Sequence, residues 1–174
     1  MPRIPYFDLA QASPELRKAI GERPPLNIFR MLPHAGPAAE RFLGLGAALL
    51  RESELDPQLR ELVIIRVGVL CRAEYEVHQH IRLARRAGVA QEKIDALRDG
   101  PDAAAFSKLE RAALRYADQV VLNVKAGAST FNAIADNLSH REMAELTLII
   151  GYYMMVSRFL ENFEVELEHE TPAE

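Results

Sequence analysis

The residues best placed for chemistry are an acid and a histidine nineteen positions apart. Glu61 stands near the start of an apolar segment that runs to Cys71, and His80 stands inside the apolar stripe of the next segment. A carboxylate beside an imidazole orients the ring and favours its charged form, which tunes general acids and bases towards neutral pH. The pair therefore predicts acid–base chemistry if the two segments bring these side chains to one pocket.

A helical period places a third ionisable residue on the stripe that carries His80. If residues 74–87 form a helix with 3.6 residues per turn, Glu76 lies one turn before His80 on the apolar face, whereas His78 falls on the polar face. The two histidines point to opposite sides, so they do not form a shared metal site. We predict Glu61, Glu76 and His80 as catalytic residues with no metal or cofactor; alternatively, they satisfy one another inside the core.

Three neighbouring residues each have more than one interpretation. Tyr75 could donate its hydroxyl to a carboxylate or carbonyl of a bound substrate, or it could be an aromatic plug at the turn between the two helices. Arg66 lies in an otherwise apolar helix, so it could hold an anionic substrate, pair with an acid in the core or reach a subunit contact. Cys71 is the single cysteine of the chain. It could be an inert buried thiol, which is the simpler interpretation, or it could have a redox role.

The elements that must position these residues are predicted to be helices. Ser13-Pro14 and Asp56-Pro57 each combine an N-cap residue with proline at the first helical position, and Ser139 with Glu142 forms a capping box. Alternating strand patterns are lacking, which predicts an all-α protein built by helix-on-helix packing. The predicted helices span residues 14–20, 25–33, 37–51, 57–71, 74–87, 91–98, 106–124, 130–137 and 140–168.

Length and composition predict one helical domain over residues 1–174, with an N-terminal arm at 1–35 and a helical core at 36–174. The hydrophobic content of 49% and charged content of 26% are typical of a soluble globular protein. The net charge of −4 lacks the excess of positive charge that is typical of proteins that bind nucleic acid. The longest apolar run, residues 146–156, is too short to span a bilayer, which takes about 20 residues. The single cysteine and the absence of a signal-like N-terminus predict a cytoplasmic protein without a membrane partner.

Three stretches of the sequence resemble the carboxymuconolactone decarboxylase family, which includes the alkylhydroperoxidase D-like proteins. The resemblance covers roughly residues 40–125 and implies an all-helical bundle that assembles as a homo-oligomer, a trimer or hexamer, and binds a small molecule. The spacing from Glu61 to His80 matches the glutamate and histidine of the peroxidase-type motif. The stretches are Leu55-Asp-Pro-Gln-Leu-Arg-Glu61-Leu, Tyr75-Glu76-Val-His78-Gln-His80 and Ala87-Gly88-Val-Ala-Gln-Glu-Lys-Ile-Asp-Ala-Leu97.

The sequence departs from the peroxidase-type members of that family at the redox residues. In those members a Cys-x-x-Cys pair precedes the histidine, with the nearer cysteine four residues before it; here these positions hold Ala73 and Glu76. Disulfide chemistry needs two thiols, or one thiol and an external resolving thiol. Dithiol peroxide reduction is therefore not expected for this chain.

Three functions follow from the residues and the resemblance. The first is a decarboxylase-like, cofactor-free enzyme in which Glu61, Glu76 and His80 perform acid–base chemistry on a small acidic or lactone-like metabolite, with Tyr75 and Arg66 as substrate-binding residues. The second is a peroxide-reducing oxidoreductase that uses Cys71 alone. The third is a binding or assembly protein without catalysis, in which the buried acids and the histidine only specify helix packing.

Overall fold

The architecture is a bundle of α-helices with no strand among the described residues, 1–21 and 26–168, of the computed structural model. Short 3₁₀ turns at Leu9–Gln11 and Leu32–Ala35 accompany the helices. The α-helices are α1 (Pro14–Ile20), α2 (Asn27–Met31), α3 (Pro37–Arg51), α4 (Pro57–Cys71), α5 (Glu74–Arg86), α6 (Gln91–Ala96), α7 (Lys108–Asn123), α8 (Ala128–Ala135) and α9 (His140–Phe163). The all-α prediction is confirmed, and the predicted start of the second helix, residue 25, lies outside the described residues.

Helix α4 is the central element of the bundle. Asp56 caps its first turn by accepting a hydrogen bond from the Leu59 backbone N–H at 2.8 Å, with Pro57 at the first helical position. Every residue from 61 to 68 is buried, because α5, α7 and α9 all pack against this helix. A helix that is apolar on all sides belongs in the interior, so α4 forms the axis around which the others are arranged.

A tight turn joins α4 to α5 and sets their relative height. Arg72 adopts a left-handed conformation with φ of 57°, and the Ala73 N–H reaches back to the Gly68 carbonyl at 2.9 Å. Gly68 lets the two helices approach closely, since a Cβ there would lie 2.9 Å from Val77 Cγ2. This close antiparallel pair brings the first turns of α4 level with the second half of α5.

Helix α9 is long but ends earlier than its sequence predicts. A capping box formed by Ser139 and Glu142 begins it, and it stops at Phe163 instead of continuing to residue 168. Glu164 takes a left-handed conformation with φ of 50°, after which Val165 is buried and its N–H bonds the Leu160 carbonyl at 3.0 Å. The chain therefore turns back as a non-helical segment, residues 165–168, that runs towards α2 and α5.

Two apolar clusters hold the bundle together. The main one surrounds α4 and includes the inner faces of α5, α7 and α9. The smaller one joins α1 to α3 through Leu16, Ile20 and Leu43. Although α9 is long and apolar enough to cross a membrane by composition, half of its most apolar window is buried within the bundle, which is the environment of a core helix.

Adding a methyl group at Gly68 should loosen the hairpin between α4 and α5. In Gly68→Ala the new Cβ overlaps Val77, and we expect a loss of about 1–3 kcal/mol in the free energy of unfolding. Gly44→Ala is the matched control on α3, where no atom lies within 4 Å of an added Cβ and alanine should stabilise the helix by up to about 1 kcal/mol. Urea unfolding followed by circular dichroism measures both, and equal stability of the two variants would contradict the close approach.

Candidate active site

The side chains of Glu61, Glu76 and His80 meet at the junction of α4 and α5. His80 Nδ1 lies 2.7 Å from Glu61 Oε2, and His80 Nε2 lies 2.9 Å from Glu76 Oε1. All three side chains are nearly inaccessible, with 7%, 3% and 5% exposure for His80, Glu61 and Glu76. The structure therefore brings together the three residues that the sequence analysis selected, with one carboxylate on each nitrogen of the imidazole.

This arrangement favours the protonated form of the imidazole. Burial by itself would lower the pKa of His80, but the charge of Glu76 and the hydrogen bonds to Glu61 and Glu76 outweigh it and raise the pKa from 6.5 to about 9. Arg60 adds a positive charge behind the group, with its Nε 3.4 Å from Glu61 Oε1. The site is thus a buried imidazolium between two carboxylates, with a guanidinium balancing the second negative charge.

A cavity of about 330 Å³ opens onto one side of this group. Its volume is at the lower end of the range of small-molecule sites, and its walls are largely apolar with a few polar groups. His80 and Glu76 both line it, whereas Glu61 does not and lies behind the ring. The polar and aromatic residues of its lining include Arg51, Tyr75, Glu76, Gln79, His80, Arg82, Arg86, Tyr152 and Tyr153.

Tyr153 of α9 completes the wall beside His80. The two rings meet edge to face with their centroids 4.8 Å apart, and both line the cavity. Burial, together with the negative charges of Glu76 and Glu61, holds the pKa of the Tyr153 hydroxyl well above its ordinary value. The phenol therefore stays protonated, with its ring packed against the imidazole.

Tyr75 lies in the cavity wall, and its hydroxyl is held in a polar cluster with the segment that follows α9. It donates to Glu168 Oε1 at 2.5 Å and accepts from the Ile28 backbone N–H at 3.3 Å. Gln79, one turn further along α5, donates to Glu168 Oε2 at 2.6 Å. Tyr75 is thus more than an apolar plug at the turn, because its hydroxyl is already bonded to a carboxylate.

Arg66 lies outside the cavity lining and forms hydrogen bonds between helices of the bundle. Its guanidinium donates to both Asp118 oxygens, at 2.7 and 2.8 Å, and to the Leu97 carbonyl at 2.7 Å. These bonds join α4 to α7 and to the end of α6, and Arg66 does not line the cavity. Of the three interpretations of Arg66, pairing with an acid is the one that the structure shows, and the prediction that Arg66 binds the substrate has no support from its position.

Cys71 also lies away from the cavity. It is a free, partly exposed thiol at the last residue of α4, and its sulfur lies 4.0 Å from Arg158 Nη1. It is not among the cavity-lining residues, and Ala73 and Glu76 occupy the two positions where the peroxidase-type motif has cysteines. The thiol and the imidazolium are therefore separate features of the molecule.

Several site residues were missed from the sequence. Gln79 looked like an ordinary polar residue, and Tyr152 and Tyr153 sit inside the apolar run of α9. The available signal was a pair of tyrosines in an otherwise aliphatic helix, because phenols in a core usually have a polar partner. In the described ranges, no group of three or more His, Cys, Asp or Glu side chains has a geometry that could hold a metal ion.

The chain is similar to known proteins in sequence. Residues 36–119 match the model of the carboxymuconolactone decarboxylase family. An uncharacterized protein of Escherichia coli strain K12, YnjA, is 30% identical over 111 residues, which cover 63% of this chain. The match spans 60% of the length of that relative.

The fold is also similar to solved structures. An uncharacterized peroxidase-related protein from Ralstonia eutropha JMP134, with an alkylhydroperoxidase AhpD core, superposes with a TM-score of 0.86 at 18% identity, covering 97% of this chain and 93% of that one. The debrominase Bmp8, in a cysteine-to-alanine variant bound to 2,3,4-tribromopyrrole, superposes with a TM-score of 0.71 at 19% identity, covering 92% and 87%. At these identities the likeness establishes the shared alkylhydroperoxidase D-like fold.

The raised pKa of His80 predicts how stability depends on pH. Below about pH 6.5 the imidazole is protonated in both the folded and unfolded chain, so the ion pairs contribute fully. As the pH rises through the folded pKa of about 9, the imidazolium loses its proton and this contribution is lost. The free energy of unfolding of the wild type minus that of His80→Gln should therefore be larger at pH 6.5 than at pH 9 and fall between these two values.

Urea unfolding at a series of pH values measures this difference. His78→Gln is the matched control, because it makes the same change on the same helix at a residue that does not line the cavity. A difference between wild type and His80→Gln that stays constant across this pH range would show that His80 is not held as an imidazolium.

Proposed function

We propose that this chain, whose residues 36–119 match the model of the carboxymuconolactone decarboxylase family, is an acid–base enzyme acting on a small acidic or lactone-like metabolite, using only its own side chains. The observation that carries the proposal is the position of His80, which is bonded at one nitrogen by a buried glutamate and at the other by Glu76 in the cavity wall. Perturbed titratable groups that converge on an apolar pocket are typical of active sites.

The three residues have different roles in this proposal. Glu61 is a positioning residue, since it reaches the ring from behind and fixes its orientation through Nδ1. His80 stores the proton, and Glu76 carries it between the imidazolium and the cavity. A proton-storing group beside a carboxylate can return a proton to carbon without waiting for solvent to enter a narrow cavity.

The proton balance of a decarboxylation fits this assignment. When the substrate loses carbon dioxide, the bonding electrons pass into a conjugated carbonyl and form an enolate. His80 Nε2 gives its proton to the Glu76 carboxylate, and Glu76 then delivers that proton to carbon and becomes a carboxylate again. A proton from solvent later restores the imidazolium. In this proposal the protonated hydroxyl of Tyr153, whose ring packs against His80 in the cavity wall, donates a hydrogen bond to the enolate oxygen.

The charge and shape of the cavity support an anionic substrate of modest size. Arg51, Arg82 and Arg86 are among its lining residues, and guanidinium groups favour carboxylates. The apolar remainder of the wall suits a small ring or a short unsaturated chain. The debrominase of the same fold, whose structure contains a tribromopyrrole, supports a small cyclic ligand in this kind of bundle.

Replacing His80 should abolish turnover. We expect His80→Gln to lower the rate at least about 100-fold, because general acid–base catalysis contributes roughly that much or more. The assay follows release of carbon dioxide and uptake of solvent deuterium, by nuclear magnetic resonance, in a panel of β-keto acids and unsaturated γ-lactone carboxylic acids. His78→Gln should keep the wild-type rate, and a fully active His80→Gln protein would contradict the assignment.

The cysteine provides the test against redox chemistry. Because Cys71 does not line the cavity, we expect Cys71→Ser to retain the wild-type decarboxylation rate. Hydrogen peroxide consumption in the presence of a thiol reductant should likewise be the same for wild type and variant. Loss of peroxide consumption in Cys71→Ser would instead support a one-cysteine oxidoreductase.

A further inference from the structure

A set of hydrogen-bond donors beside the acid–base group forms a second feature of the same cavity. Tyr75 and Gln79 are one turn apart on α5, as are Glu76 and His80. The two pairs are offset by one residue, which is 100° and 1.5 Å along a helix, so they form adjacent rows. Both rows line the cavity, and a molecule anchored on the first pair therefore reaches the second within a few atoms.

A carboxylate already occupies these donors. Glu168 Oε1 accepts from the Tyr75 hydroxyl at 2.5 Å and from the Asn27 backbone N–H at 2.6 Å, and Glu168 Oε2 accepts from the Gln79 amide at 2.6 Å. Three hydrogen bonds to its two oxygens therefore hold the Glu168 carboxylate against α2 and α5. The distances are short, as expected for hydrogen bonds to an ionised acceptor.

Tyr75 and Asn27, two of the three donor residues, have further hydrogen bonds besides those to Glu168. The Ile28 N–H donates to the Tyr75 oxygen at 3.3 Å, so the phenolic hydrogen is directed to the other side, where Glu168 lies. Tyr75 is only 4% exposed, and its pKa is raised by burial and by Glu168, so it remains a donor. Asn27 is buried as well, and its side chain bonds the Glu166 carbonyl at 3.0 Å and Arg30 at 3.1 Å.

We propose that the Asn27 N–H, the Tyr75 hydroxyl and the Gln79 amide form a carboxylate-binding site at the edge of the cavity, where Tyr75 and Gln79 line its wall. Glu168 fills this site in the free protein, and a substrate carboxylate fills it in the complex. The exchange replaces one carboxylate by another, so the charge at the site is unchanged. The segment 165–168 acts as an internal competitor that keeps the site bonded until an acid of the right shape enters. This inference takes from the proposed function only that the substrate is an acid.

Weakening the hydrogen bonds between Glu168 and the three donors should strengthen the binding of a free carboxylic acid to the same donors. The probe is benzoate, with benzamide as a ligand of the same shape that lacks the charge. We expect Glu168→Gln to bind benzoate about tenfold more tightly than wild type, since a charge-assisted bond is replaced by a neutral one. Glu168→Ala should bind it at least as tightly as Glu168→Gln, and neither change should improve benzamide binding comparably.

Isothermal titration calorimetry on the full chain measures these affinities. Glu166→Gln is the matched control, because it removes a carboxylate from the same segment whose oxygen pairs with the N-terminal amino group and not with α5. Adding Gln79→Leu to Glu168→Gln should return benzoate affinity to the wild-type level or below. Circular dichroism checks that each variant is folded, and the conservative Glu168→Gln carries the test if Glu168→Ala is not.

Three results would overturn the site. They are a Glu168→Gln protein that gains no more affinity than Glu166→Gln, an equal gain for benzamide, and no benzoate binding to either Glu168 variant. The measurement needs no turnover, so an active His80→Gln enzyme would refute the acid–base proposal and leave these outcomes unaffected. Conversely, loss of turnover in His80→Gln, together with a Glu168→Gln protein that binds benzoate no more tightly than wild type, would refute only the carboxylate site.

Discussion

The ion pairs of His80 with Glu61 and Glu76 are the constraint on which the rest of the site depends. Removing one partner from a buried charged pair typically destabilises a protein by about 3–5 kcal/mol, because the remaining charge has no solvent to stabilise it. The chain must therefore hold a glutamate of α4 and a glutamate of α5 within 3 Å of one imidazole. This demand fixes the rotation and the height of the two helices relative to each other.

The architecture around α4 meets that demand. Gly68 allows α5 to approach closely, the left-handed Arg72 turns the chain in two residues, and α9 covers the pair with Tyr153. A second buried ion pair, Arg66 with Asp118, ties the opposite side of α4 to α7. The most buried helix is thus held on both sides by charge pairs within an otherwise apolar core.

The segment after α9 connects the core to the cavity. Its reversal at Glu164 directs the next residues to α2 and α5, where Glu168 bonds three donors. The end of one helix therefore decides which group occupies the donors beside the acid–base pair.

Local sequence determined the helices, most of their starts and the identity of the central group. Prolines and capping residues located α1, α4 and α9, and a 3.6-residue period was enough to place Glu76 beside His80, because both are short-range effects. Only the tertiary structure decided the partner of Arg66, the place of Tyr153 in the cavity wall and the contact of Tyr75 with Glu168. These depend on packing between helices far apart in the chain, and no local pattern encodes which distant side chain will lie opposite.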